Sequence, residues 1–183
     1  MSKDNMEFLY FKYPEKFAFL TDEPKSCSIC HDTKVCFDAV GYSGINDIEC
    51  ICESCLKAGK LIDLEIEPNL IFDDGSEAAN TITYKTPALP TWQDTPWPTI
   101  DGQYPIFECI ASKQDFSDKH EFLDCFIEGS QTKSDIEWLW DALPDRKLST
   151  YKEGGDISVY LFSLNSYMDT SPMQAPAGLF LTK

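Results

Sequence analysis

Two Cys-x-x-Cys pairs constrain this chain more than any other feature. They are Cys27-Ser-Ile-Cys30 and Cys52-Glu-Ser-Cys55, with 21 residues between the pairs. Each pair can turn two sulfurs toward one point, and two pairs brought together supply four thiolates in a tetrahedron, which suits zinc. The intervening residues predict two strands, at 35–40 and 48–52, joined by a turn at 41–47. The spacing therefore predicts a zinc-ribbon-like module near the N-terminus, with a structural zinc ion held by Cys27, Cys30, Cys52 and Cys55.

The sequence gives less support to other types of site at these cysteines. Cys27-x-x-Cys30-His31 matches the attachment pattern of a c-type haem, but that pattern leaves the second pair unexplained. A thioredoxin-like redox pair needs a βαβ context that is missing here. A catalytic zinc keeps an open water position, which four thiolates would close.

The ligand set itself stays open at two positions. Cys50 and His31 lie next to predicted ligands, and either could replace one of them. The other three cysteines sit in apolar runs and are expected to be small core residues. They are Cys36, Cys109 and Cys125.

The charge of the chain limits its partners. Its 183 residues include 31 acids and 15 bases, for a net charge of −16. Binding to a nucleic-acid backbone needs lysine and arginine to displace counterions, and Arg146 is the sole arginine, so direct nucleic-acid binding is not expected. No apolar run is long enough to cross a membrane, and the N-terminus does not resemble a signal peptide. We expect a cytoplasmic protein with reduced cysteines and a basic protein partner.

The pattern along the chain predicts an α+β fold, a single mixed body with the small four-cysteine module near its N-terminus. Residues 1–67 would hold the N-terminal segment and the module, and residues 68–183 the α+β body, together forming one compact unit. The aromatic segment 8–20 should pack on this body, and the proline-rich stretch 68–98 should be mostly irregular or edge-like. The rest of the body predicts strands at 106–110, 157–164 and 178–181, a helix over 117–128, and a second helix that a Ser134–Glu137 capping box begins and Pro144 ends.

Two places in the acidic segment, residues 61–110, are candidates for binding a partner. This segment holds nine acids and one base, Lys85. Between 62 and 67, carboxylates alternate with aliphatic residues, which at strand spacing gives either a solvated outer strand or an acidic face for a basic partner. Trp92 and Trp97 lie in a proline-rich loop and could be interface anchors or staples that pin the loop to the core. The predicted partner-binding residues are Asp63, Glu65, Glu67, Asp73, Asp74, Trp92 and Trp97.

The sequence offers no catalytic constellation. The two histidines, His31 and His120, have no evident catalytic partner, and His120 is expected at an exposed helix start. There is no G-x-S-x-G, no phosphate-binding glycine loop and no H-E-x-x-H. With 31 acids available, a chance pair of carboxylates carries no information. We therefore expect a protein that is not an enzyme.

Several of these motifs resemble the CbrC family of bacterial proteins. The resemblance lies in Phe11-Lys12-Tyr13, the two Cys-x-x-Cys pairs, Thr86-Pro87 and Trp92-Gln93 with Trp97, over roughly residues 8–112. It implies a soluble, cytoplasmic, zinc-binding protein. The family is associated with colicin tolerance and is similar to immunity proteins, so the resemblance also implies that the chain neutralises a basic toxin domain, such as a nuclease. Residues 98–104 depart from the family pattern. The alternative is a zinc-ribbon interaction module in stress response or housekeeping, with no toxin partner.

Overall fold

A computed structural model describes residues 6–72, 74–91, 96–125, 133–155, 157–164 and 178–182. The chain forms two compact units, residues 1–97 and 98–183. Short helices alternate with small antiparallel sheets in both units, which confirms the predicted α+β class. The predicted boundary after residue 67 lies inside the first unit. None of the helices in the described ranges is long and apolar enough to cross a membrane.

In its described residues, the first unit has three two-stranded antiparallel sheets and three helices. Its elements in chain order are α1 (Pro14–Phe17), β1 (Lys25–Ser26), β2 (Thr33–Lys34), β3 (Phe37–Asp38), β4 (Ser43–Gly44), β5 (Cys50–Ile51), α2 (Glu53–Lys57), a 3-10 turn (Ile62–Leu64), β6 (Ile66–Glu67) and α3 (Glu77–Lys85). β1 pairs with β2, β3 with β5, and β4 with β6. The predicted strands at 35–40 and 48–52 are thus present as the short pair β3–β5.

The aromatic N-terminal segment packs within the first unit, as its composition predicts. Phe11, Phe17 and Phe19 are buried, and Phe8 packs edge-on against Phe37 with ring centroids 5.6 Å apart. Burying these apolar rings stabilises the unit by about 2 kcal/mol for each fully buried side chain. The segment therefore supplies much of the core on which the cysteine module rests.

The predicted strand over 62–67 is wrong for most of its length. Residues 62–64 form a 3-10 turn, and Glu65 has a left-handed backbone (φ 53°), so only Ile66 and Glu67 are extended. The Ile66 N–H donates to the Leu61 carbonyl, which closes the chain into a tight loop that buries both aliphatic side chains. Ile62 stays 39% exposed. The carboxylates of this stretch consequently do not share one strand face.

The proline-rich stretch 68–98 contains one regular helix, and its other described residues are irregular, as expected for most of the stretch. α3 runs for nine residues, and no proline falls between Pro68 and Pro87. The Ser76 hydroxyl accepts a hydrogen bond from the Ala79 N–H at 3.0 Å and so caps the first turn. Asn69 holds the helix end, because its Nδ2 donates to the carbonyls of residues 82, 86 and 87 and its Oδ1 accepts from residue 89.

The second unit has a three-stranded antiparallel sheet in the order β7–β8–β9. Its elements are β7 (Ile106–Ile110), a 3-10 turn (Lys113–Asp115), α4 (Lys119–Asp124), α5 (Lys133–Ile136), α6 (Leu139–Ala142), a 3-10 turn (Tyr151–Glu153), β8 (Ser158–Ser163) and β9 (Gly178–Thr182). The three predicted strands are confirmed, including β8 at the centre. β8 and the helices share a buried core with the residue that follows β7; its members are Ala111, Phe122, Ile136, Leu139, Leu143 and Val159.

The helices of this unit differ from prediction in their starts. α4 begins after Asp118, whose carboxylate accepts the N–H groups of His120 and Glu121, and residues 126–128 of the predicted helix lie outside the described residues. The predicted capping box at Ser134 is wrong, because this serine lies inside α5 rather than before a helix. α6 ends at Ala142, and its C-cap Leu143 directly precedes Pro144, as predicted.

Candidate metal centre

The structure brings the four predicted cysteines together. The sulfurs of Cys27, Cys30, Cys52 and Cys55 all lie within 4.8 Å of one another. The Sγ atoms of Cys30 and Cys52 are 3.7 Å apart. Four sulfurs at about 2.3 Å from a tetrahedral zinc ion would be separated by about 3.8 Å. The cluster therefore has the donor atoms and nearly the spacing that a tetrahedral metal ion requires.

The first pair sits at the tip of the β1–β2 hairpin. Lys25 pairs with Lys34 and Ser26 with Thr33, so the strands deliver Cys27 to a tight turn. The His31 N–H donates to the Cys27 carbonyl at 2.9 Å, and His31 takes a left-handed conformation (φ 63°) that reverses the chain. This turn points both sulfurs of the pair in one direction.

The second pair sits where β5 runs into α2. Cys52 is the residue before the first turn of the helix, with an extended backbone (φ −78°, ψ 158°), and Cys55 lies one turn later. The Leu56 N–H donates to the Cys52 carbonyl at 3.0 Å. A strand that enters a helix here places the two sulfurs on the same side of the helix start.

Ser28 holds the two pairs against each other. Its N–H donates to the Cys50 carbonyl at 3.0 Å, and its hydroxyl accepts from the N–H groups of Glu49 and Cys50 at 3.2 and 3.3 Å. These bonds fix the first turn on β5, which leads directly into the second pair. Ser28 is not among the predicted site residues, because one small hydroxyl residue inside a Cys-x-x-Cys is a weak signal.

Backbone N–H groups prepare one of the sulfurs to carry charge. The N–H groups of Ile29 and Cys52 both lie 3.4 Å from the Cys27 sulfur. Burial acts to raise the pKa of Cys27, but hydrogen bonds from the N–H groups of Cys30, Cys52 and Ile29 lower it to about 6. Burial and the neighbouring sulfurs of Cys52 and Cys30 raise the pKa of Cys55. A bound cation would offset this crowding of negative charge.

The centre is closed rather than open. Cys27 and Cys52 are 0% exposed and Cys55 is 8% exposed, while Cys30 reaches the surface. Four thiolates fill the coordination shell of a tetrahedral ion and leave no position for a reacting water. Such an arrangement can brace the local fold and is unsuited to metal-assisted hydrolysis.

The alternative ligands lie outside the cluster. Among the described residues the group contains neither His31 nor Cys50. The Cys50 thiol donates to the Ser26 carbonyl at 3.4 Å. Cys36 is also buried, and burial and the adjacent Cys50 raise its pKa to about 12, so it remains a neutral thiol.

The predicted partner-binding carboxylates lie at separate positions on the first unit. Asp63, Glu65 and Asp74 are exposed, and Glu67 is half-buried. The hydroxyl and N–H of Ser76 donate to the Asp74 carboxylate and lower its pKa. These residues remain available at the surface, although they do not follow one strand.

One of the two predicted tryptophans, Trp97, lies in the described part of the chain. Trp97 is 1% exposed, and its backbone N–H donates to the Leu70 carbonyl at 2.7 Å. The side chain is therefore buried and offers no surface to a partner. This position matches the staple alternative. Trp92 and Asp73 lie outside the described residues.

Comparison with known protein families gives a match. Residues 6–170 match the model of an uncharacterised protein family, UPF0167. Searches among curated proteins and among solved structures returned no match. The matched range includes both Cys-x-x-Cys pairs and most of the second unit. Since it spans well over half of the sequence, this chain belongs to the UPF0167 family.

Proposed function

We propose that this protein is an immunity protein, which binds a cognate antibacterial toxin and neutralises it without catalysing a reaction. In this proposal the four-cysteine centre holds zinc as a structural ion, and an acidic surface meets the toxin. The observation that carries the proposal is the cluster of four sulfurs within 4.8 Å, in a chain with a net charge of −16.

The choice of zinc follows from the donor set. A tetrahedral set of four thiolates suits zinc or iron, and zinc needs no redox partner to remain bound. The cluster joins the β1–β2 turn to the start of α2. A metal ion at this junction would stabilise the module by about 10 kcal/mol in apparent terms. The proposal places the protein in the cytoplasm, where the thiols stay reduced.

The choice of partner follows from charge and from the resemblance to the CbrC family. Within the first unit, residues 61–97 hold seven acids and a single base, Lys85. A surface of this kind attracts a basic protein, raises the association rate by roughly 10- to 1000-fold, and loses this advantage in salt. Many immunity proteins are acidic partners of basic toxins, and the CbrC resemblance implies the same role here.

Co-expression with the neighbouring gene tests the proposal. The product of the gene immediately upstream should be toxic when expressed alone and harmless when this protein is present. A pull-down of the two purified proteins should succeed at low salt and weaken at high salt. If the neighbouring product is toxic and stays fully active in excess of this protein, immunity toward that product is refuted.

A zinc-ribbon interaction module with no toxin partner is the second candidate. The metal centre by itself favours this function, because a structural zinc module can present any binding surface. A chromosomal neighbourhood without a toxin or secretion gene would support it, as would capture of a housekeeping protein that the acidic surface binds in a salt-sensitive manner.

A further inference from the structure

A polar cavity lies between β6 and α3 in the first unit. It has a volume of about 170 Å³ and is lined by Glu67, Ile71, Gly75, Ser76, Asn80, Thr83 and Tyr84. Asn80, Thr83 and Tyr84 stand three and four residues apart, so they share one face of α3. The helix therefore supplies one wall, and the chain from Glu67 to Ile71 supplies the other.

Among the described residues that line the cavity, Glu67 alone is charged, and its charge is negative. The Tyr84 hydroxyl donates to Glu67 Oε1 at 3.1 Å, which orients the carboxylate. Asn80 and Thr83 add an amide and a hydroxyl, so the wall offers several oxygen acceptors. No lysine or arginine in the described ranges forms an ion pair with Glu67. The carboxylate is thus held in a concave site without an internal counter-ion.

The surroundings strengthen the preference for a cation. Asp74 and Glu77 flank the mouth of the cavity in sequence, before and within the first turn of α3. The nearest base along the chain, Lys85, lies over Gly59, where a β-carbon would come within 3.0 Å of its Cε. The Lys85 side chain therefore packs over the residue that follows α2. A cationic group from outside would enter a negative potential that no residue of the cavity wall offsets.

The rim favours a protein side chain over a free ion. Phe72 follows the cavity-lining Ile71 and is 79% exposed. Lysine and arginine carry apolar stems that pack on such surfaces while their charged ends reach a carboxylate. Exposed aromatic residues beside a pocket are also typical of protein interfaces.

We infer that this cavity receives one lysine or arginine side chain from a protein partner, with the Glu67 carboxylate as its counter-ion. The inference rests on the proposed function, since it names the chemistry of one contact made by the basic partner. The ammonium or guanidinium group would donate to Glu67 and to the neighbouring oxygens of α3, and its stem would lie along Ile71 and Phe72.

Titration with capped amino acids tests the cavity without knowledge of the partner. The probes are N-acetyl-arginine methylamide and N-acetyl-lysine methylamide, and the neutral control is N-acetyl-citrulline methylamide. With ¹⁵N-labelled full-length protein, at least one cationic probe should cause saturable amide shifts at Ser76, Asn80, Thr83 and Tyr84. Citrulline should cause none. Equal binding of citrulline, or no saturable shift with either cation, would overturn the inference.

Two matched variants locate the charge. Glu67→Gln keeps a hydrogen-bond acceptor for Tyr84 and should weaken the cationic probe by about tenfold, because a charge-assisted hydrogen bond is lost. Glu65→Gln removes the same charge two residues away, outside the cavity wall, and should change the affinity by less than about twofold. If both variants reduced the affinity for the probe equally, the attraction would come from the overall negative charge, and the inference would be refuted.

The same variants separate this inference from the proposed function. If the upstream product binds the wild type and Glu67→Gln with equal affinity, the cavity contact is refuted and the immunity function stands. If that product does not bind at all, while the arginine probe binds in a Glu67-dependent manner, the immunity function fails and the cation-binding cavity stands.

Discussion

Cys52→Ser is the most direct perturbation of the metal centre. Cys52 is 0% exposed, its sulfur lies 3.7 Å from that of Cys30, and its backbone leads β5 into α2. Serine fits the same space, so the change removes a thiolate with little change in volume. Cys36→Ser is the matched control, because Cys36 is also buried (1% exposed), lies in the same module and stands outside the cluster.

The magnitude follows from the number of ligands. A structural zinc site contributes about 10–16 kcal/mol in apparent terms, so one of four thiolates accounts for about 2.5–4 kcal/mol. For a unit of this size, 1 kcal/mol corresponds to a shift in Tm of about 4–8 °C, and the expected loss is on the order of 10–30 °C. The Cys36 thiol donates to the Lys34 carbonyl at 3.4 Å, a bond that a serine hydroxyl can replace, so the control should lose about 1 kcal/mol or less.

Elemental analysis and thermal unfolding followed by circular dichroism provide the two readouts. Wild type and Cys36→Ser should each carry one equivalent of zinc, and Cys52→Ser should carry much less and unfold at a lower temperature. A Cys52→Ser protein with unchanged Tm would contradict a structural metal. Equal destabilisation of both variants would show that the loss comes from core packing instead.

Three further predictions concern acid, a buried amide and a helix cap. Metal retention should fall in acid, because protons compete with the metal for the four thiolates. Without metal, the pKa of the Cys27 thiol is lowered from its ordinary value of 9.0 to about 6. In the metal-free fold the contribution of this thiolate to stability is complete above about pH 9 and is lost as the pH falls through 6. Metal retention is measured by dialysis at a series of pH values followed by elemental analysis. Full retention of the metal at pH 4 would contradict the prediction. Asn69→Ala should cost about 3 kcal/mol or more in denaturant unfolding, since it leaves several buried backbone groups without their side-chain partner. Ser76→Ala should cost about 1 kcal/mol and Ser76→Asp much less, because aspartate can also accept the Ala79 N–H; equal losses would argue against a capping role.

The four-cysteine cluster could be predicted from the sequence because its geometry is local. The first pair forms a hairpin turn, the second begins α2, and the hydrogen bonds of Ser28 to residues 49 and 50 bring the two together. The number of candidate metal ligands is also smaller for thiols than for carboxylates, because the chain has eight cysteines and 31 acids. The exclusion of Cys50 from the cluster could not be predicted, because it depends on a hydrogen bond to the Ser26 carbonyl that only the folded hairpin provides.

The segment from 61 to 90 shows where sequence patterns fail. Alternating aliphatic and acidic residues at 62–67 have the period of a strand, but the loop that buries Leu61 and Ile66 takes precedence over that pattern. α3 is missed for the opposite reason: its buried face includes Thr83 and the small Ala79, so its apolar periodicity is weak. Tertiary contacts, above all those of Asn69, stabilise the end of α3.

A metal ion at the four-cysteine centre would also affect the rigidity of the proposed binding surface. Cys52 and Cys55 hold the start of α2, α2 packs against α3, and the side chain of Lys85 at the end of α3 covers Gly59 at the end of α2. α3 in turn supplies one wall of the cavity that contains Glu67. Loss of the metal would free the start of α2 and remove one support of α3, so a site that must hold a partner's cation in a fixed position would lose its preorganisation. In the proposed function, a structural metal ion and the acidic docking site would therefore depend on each other through α2 and α3.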